Sequence, residues 1–117
     1  AAGKRWPEVP WNAFSCAAFN GDGQLIYPGP NGKPYSSIRL EAIRDGIEDY
    51  EYLHQLSRLV DQKAREPKVD ARLLARARKL LAVRDDVVKS NHEYTLDPDR
   101  LLEARRELAE TIEALSR

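Results

Sequence analysis

The stretch GDGQLIYPGPNGKPYSSIRLEAIRDGIEDYEYL, residues 21–53, poses the fold problem for the whole chain. A double-glycine turn, Gly21-Asp22-Gly23, leads into one short apolar run, Gln24-Leu25-Ile26-Tyr27, which stops at Pro28. Proline has no amide to donate to a sheet ladder, so the strand is expected to end there. A lone strand leaves donors and acceptors unpaired along both edges and must borrow neighbours from elsewhere. Asn31-Gly32 marks a second turn. Ser36 or Ser37 then offers a side-chain oxygen to the free amides of a helix, with Glu41 near the positive end of its dipole.

From that cap onward the pattern is helical. Ile43, Ile47, Tyr50, Leu53, Leu56 and Val60 recur every three or four residues, which predicts one buried face on a helix running to about Ala64. Gly46 interrupts it at a cost of about 1 kcal/mol relative to alanine, and its expected use is close approach of another backbone. After Pro67, Asp70 caps a second helix whose stripe is Leu73, Leu74, Ala77, Leu80, Leu81, Val87 and Val88, with a possible break at Asp85-Asp86. The run KSNHEYTLDP is a connector, and Asp97 followed by Pro98 opens a third helix lined by Leu101, Leu108, Ile112 and Leu115.

Upstream of residue 36 lie five of the seven prolines, five of the six glycines and both tryptophans, the composition of loops around short strands. Residues 14–19 are apolar enough for a second strand, although Ser15, Cys16, Ala17 and Ala18 are small. The chain therefore reads as mainly α. Residues 1–35 form a loop-rich arm with one or two short strands, and residues 36–117 form a three-helix antiparallel bundle.

At 117 residues and 42% hydrophobic content there is material for one core, burying roughly two thirds of the unfolded surface. Basic and acidic residues balance at 19 each, so no global field favours nucleic acid, anionic lipid or an acidic substrate. The single Cys16 forms no internal disulfide, and neither it nor His54 and His92 has metal-ligand spacing; no metal or cofactor is expected. No apolar run approaches the ~20 residues of a membrane span. The chain has no methionine, which suggests a processed or excised piece of something longer. The compartment stays open.

The residues from Phe19 to Leu53 carry a pattern more specific than any single turn: the GDG turn, a strand ending in Tyr-Pro-Gly, a short loop, then Ser-Ile-Arg-Leu-Glu and Arg-Asp-Gly-Ile-Glu-Asp-Tyr-Glu-Tyr-Leu. This resembles the closing segment of the catalytic domain of glycoside hydrolase family 123, also known as domain of unknown function 4091. The resemblance implies a (β/α) barrel in which residues 24–27 form a late strand, the helix from Ser37 its outer helix, and earlier barrel strands the missing neighbours. Chemistry in such a barrel sits at the carboxyl ends of strands, which puts residues 27–35 on the active-site side. The implied reaction is hydrolysis of terminal β-linked N-acetylgalactosamine-type sugars with retention. The substrate's acetamide oxygen attacks the anomeric carbon, and an adjacent Asp-Glu pair orients the acetamide and protonates the leaving oxygen.

The resemblance places that pair upstream, so no catalytic residue is assigned within the chain, and the chain alone is expected to be inactive. Glu48-Asp49 falls in mid-helix with Arg44 four residues before Glu48, the setting of a surface pair. Tyr27 is a substrate-binding candidate, since its ring and hydroxyl suit a sugar surface, against the reading of a core tyrosine. Arg39 is a second, able to reach a carboxylate in the site or to bind loop carbonyls. Tyr35 reads as exposed loop. The expected partners are a carbohydrate and the remaining barrel, with no nucleic acid and no membrane.

Two other classes remain. Residues 63–84 hold eight basic side chains against only Glu66 and Asp70, which suits a nucleic-acid-binding module. No aromatics interleave for base stacking, so the preferred expectation is that this stripe faces the acids of the first helix, Glu41, Asp45, Glu48, Asp49 and Glu51. A helical protein-interaction module with residues 1–35 as an arm is the other alternative.

Overall fold

The structure, a computed structural model, describes residues 24–29 and 32–117. The chain divides into two compact units, Ala1–Ile47 and Glu48–Arg117. The expected GDG turn, the candidate strand at residues 14–19 and Cys16 lie outside the described residues.

In the first unit, β1 (Ile26–Pro28) pairs antiparallel with β2 (Pro34–Ser36) in the register Ile26↔Ser36, Tyr27↔Tyr35, Pro28↔Pro34. The apolar run thus has a neighbour within its own chain, which the proline-rich composition of residues 28–34 concealed. Two prolines opposite each other are tolerated for a geometric reason. The Gly29 amide donates to the Lys33 carbonyl at 2.8 Å, which marks that pair as hydrogen-bonded. Alternation along an antiparallel ladder then makes Pro28↔Pro34 a non-hydrogen-bonded pair, where no amide is missed. Glycine is required at the turn twice. A side chain at Gly29 would overlap the Lys33 carbonyl oxygen, and Gly32 has φ 71°, a left-handed conformation that costs glycine little.

Helix α1 (Ile38–Lys63) begins as expected. The Ser37 hydroxyl oxygen accepts the Leu40 amide at 3.1 Å, and the Ser37 carbonyl accepts the Glu41 amide at 3.0 Å. Its expected inner face is corrected. Leu56 and Val60 are buried, whereas Ile43, Ile47 and Tyr50 are 47%, 58% and 65% exposed. Periodicity reports which side chains share a face, and it cannot say how far along the helix a covering layer extends. Gly46 is corrected too: a Cβ there meets nothing within 4 Å among the described residues, so no backbone approaches it.

In the second unit, α2 (Ala71–Leu80) and α3 (Pro98–Ser116) join the later turns of α1 around one core of Leu56, Val60, Leu74, Ala77, Leu108, Ile112 and Leu115. Leu56 and Ala77 are fully buried, and a side chain such as Leu56 contributes roughly 2 kcal/mol of transfer free energy. Both predicted caps form. Asp70 accepts from the amides of Arg72 at 2.9 Å and Leu73 at 3.3 Å, and Asp97 accepts from Asp99 at 3.0 Å with Pro98 in the first turn. Helix α2 is shorter than its stripe. It stops at Leu80, and the Arg84 carbonyl takes the amides of Val87 and Val88 in a separate turn. Val87 still reaches a buried position, from a loop whose Val88 bridges Tyr94. Leu101, expected on the inner face of α3, is 38% exposed.

Candidate functional site

The hairpin and the first turn of α1 are knitted by side chains. The Ser37 hydroxyl donates to the Leu25 carbonyl at 2.7 Å, so the residue that caps the helix also closes the edge of the strand run. The Ser36 hydroxyl donates to Glu41 Oε1 at 2.6 Å, and Glu41 is in turn paired with Arg44. Arg39 Nη1 lies 3.5 Å from both the Gln24 carbonyl oxygen and the Tyr27 hydroxyl. The two residues singled out for sugar binding are therefore adjacent in space, twelve positions apart in sequence, because the helix starts directly behind β1's partner strand. A guanidinium against a phenol oxygen donates to it and fixes where that hydroxyl stands.

Tyr35 reads as exposed loop in the sequence because nothing there declares β2 a strand. It stands directly across from Tyr27, and opposite residues of an antiparallel pair project to the same face. Tyr27 is partly buried and Tyr35 is exposed. The arrangement is two phenol rings on one hairpin face with a cation at the edge of one of them. Such a surface offers apolar ring area and hydroxyl groups, and it carries no described carboxyl in the β1–β2 loop.

The tempting acidic pair divides. Both oxygens of Asp49 are occupied by Arg105 of α3, with Oδ2 2.9 Å from Nη2, in a half-buried bidentate ion pair. Glu48 is exposed. Arg44, the partner expected for Glu48, pairs with Glu41 instead. Asp85 and Asp86 sit in the turn after α2. Hydrogen bonds from Arg84, at 2.8 and 2.6 Å, hold the Asp86 carboxyl below the usual carboxylate range, the opposite of what a proton donor needs, and the same contacts raise Arg84. His54 stacks on Tyr50 with ring centroids 6.3 Å apart. No group of three His, Cys, Asp or Glu side chains could hold a metal ion among the described residues, and no helix there is long and apolar enough to cross a membrane.

The basic stretch is also corrected. Within the second unit no ion pair joins α2 to Glu48, Asp49 or Glu51 among the described residues, and Asp49 pairs with α3 instead. Residues 72, 76 and 79 fall on the side of α2 away from Leu74 and Ala77, a consequence of the 3.6-residue period that faces them to solvent.

In comparison with known proteins, residues 3–56 match the family described as Glycoside hydrolase 123, catalytic domain. The match takes in the hairpin and α1 as far as Leu56, and α2 and α3 lie beyond it. No curated protein and no solved structure matches the chain.

Proposed function

We propose, from the match of residues 3–56 to the glycoside hydrolase 123 catalytic domain, that this chain is the closing part of a (β/α) barrel hydrolase. The enzyme would remove terminal β-linked N-acetylgalactosamine-type sugars with retention. The family match carries this reading. In the proposed reaction the acetamide oxygen of the substrate attacks the anomeric carbon, displacing the aglycone oxygen. That oxygen takes its proton from a carboxyl general acid while a neighbouring carboxylate steadies the acetamide. Water, giving a proton to the carboxylate that the general acid has become, then opens the cyclic intermediate from the face the aglycone left.

Within this scheme the hairpin supplies binding rather than proton transfer. Tyr27 and Tyr35 offer ring faces to the apolar side of a pyranose, and Arg39 stands beside the Tyr27 hydroxyl. The adjacent Asp-Glu pair is assigned to the barrel upstream, because Asp49 is committed to Arg105 and the loop between β1 and β2 has no carboxyl to offer. The exposed apolar residues Ile43 and Ile47 fit the same reading, as the face by which an outer helix packs on barrel strands.

The test compares this chain with the longer reading frame that contains it, using a chromogenic N-acetyl-β-galactosaminide. Release is expected from the longer protein alone, and Tyr27→Ala there should raise KM roughly fivefold, as expected for loss of one stacking contact of about 1 kcal/mol. Turnover by the isolated chain that disappears in Glu48→Gln would overturn both the barrel placement and the assignment of the acid upstream.

A further inference from the structure

The charge on this chain is balanced overall but not locally. Helices α1 and α3 lace their charges along their own faces, as in Glu41–Arg44, Arg106–Glu110 and Glu113–Arg117. Helix α2, ARLLARARKL, contains no acid. The acids just before it in sequence are engaged, Asp70 in capping and Glu66 with Lys63. Arg65, Lys68, Arg72, Arg76, Arg78 and Lys79 are all exposed, and none forms an ion pair among the described residues. A solvated helix with nothing to bind would ordinarily intersperse both signs.

A concave feature accompanies the charge. Arg76, Lys79 and Arg84 line one open groove of about 480 Å³ together with Leu80, Val83 and Glu107. Glu107 lies 3.6 Å from Arg84, which leaves Arg76 and Lys79 as the uncompensated cations of the groove. Its remaining walls are aliphatic. Forked guanidinium and ammonium donors beside an aliphatic wall suit a ligand with an acidic substituent on a ring that has an apolar face. Bases find nothing to stack on, since α2 and the groove contain no aromatic side chain.

We infer that the basic face of α2 and the adjoining groove bind an acidic glycan, a polymer bearing sulfate or carboxylate groups. The polymer class rests on the glycoside hydrolase reading; the anion requirement rests on the charges alone. In this arrangement Arg72, Arg76 and Lys79, spaced along the helix at intervals of about 6 and 4.5 Å, track successive anionic groups. The glycan is thereby held on a helix that lies outside the family match.

The experiment measures binding of the full chain to chondroitin sulfate, with neutral dextran and single-stranded DNA as parallel arms, over a salt series. Binding to chondroitin sulfate that weakens with salt is expected, with none to dextran and weaker binding to DNA. Arg76→Gln/Lys79→Gln should weaken it roughly tenfold, on the scale of two exposed ionic contacts, with an unchanged melting temperature. Arg106→Gln/Arg117→Gln, which removes cations already paired with acids, should leave it unchanged. Absence of binding, DNA bound as tightly as the glycan, or equal loss in both double variants would overturn the inference. Because binding is read without turnover, failure here alongside sugar release by the longer protein removes this inference alone. Binding here without sugar release there removes the hydrolase reading.

Discussion

Thr111 is the polar side chain most completely withdrawn from water in the core, at 2% exposure, and its hydroxyl has no hydrogen-bond partner among the described residues. An unpartnered buried hydroxyl costs its desolvation without recompense, so an isosteric apolar replacement is favoured. Thr111→Val is expected to stabilise the chain by about 1 kcal/mol, read as a rise in melting temperature; a fall would show that the hydroxyl has a partner in solution. Asp49 illustrates the opposite case. As a sequence letter beside Glu48 it looked like half of an acidic surface pair, and the fold gave it Arg105 from fifty-six positions away. Caps, by contrast, were legible letter by letter: Ser37, Asp70 and Asp97 each cap the helix that follows. A cap acts over three residues, within reach of local reading, whereas a cross-helix pair depends on how two helices are packed.

Among the elements, α1 was located correctly and its environment misjudged. Its start and end agree with the expected cap and with closure before Pro67, but only its later turns are covered. Gly46 lies in a part of α1 where a Cβ would meet nothing within 4 Å among the described residues, so Gly46→Ala should add about 1 kcal/mol through helix propensity alone. The melting temperature should rise by roughly 4 °C for a chain of this size. Gly46→Leu should be tolerated as well. A leucine variant melting well below the parent chain would restore the idea of close approach there. The hairpin was half visible. Residues 24–27 announced a strand, but Pro34-Tyr35-Ser36 has only three residues and begins with proline, and its pairing depends on the turn at Gly29 and Gly32.

At the scale of the whole molecule, the two units differ in how their backbone is protected. The second has a core drawn from three helices, while the described strands of the first are three residues each, with Ile26 and Tyr35 exposed. Amides of residues 26–27 should exchange far faster than those of residues 56–60, because a short exposed ladder opens without disrupting a core. Equal, strong protection of both sets in a demonstrated monomer would contradict this. Helix positions, their caps, the mainly α class and the family pattern at residues 19–53 were all properties of local order along the chain, and periodicity, capping chemistry and motif spacing suffice to read them. Three matters were decided only in three dimensions: the pairing of Tyr27 with Tyr35 beside Arg39, the commitment of Asp49 to Arg105, and the lack of an ion pair, among the described residues, between the α2 cations and Glu48, Asp49 or Glu51. Each concerns residues on different elements. Contacts of that kind depend on the rotation and stagger of packed elements, which the periodicity of a single element does not specify.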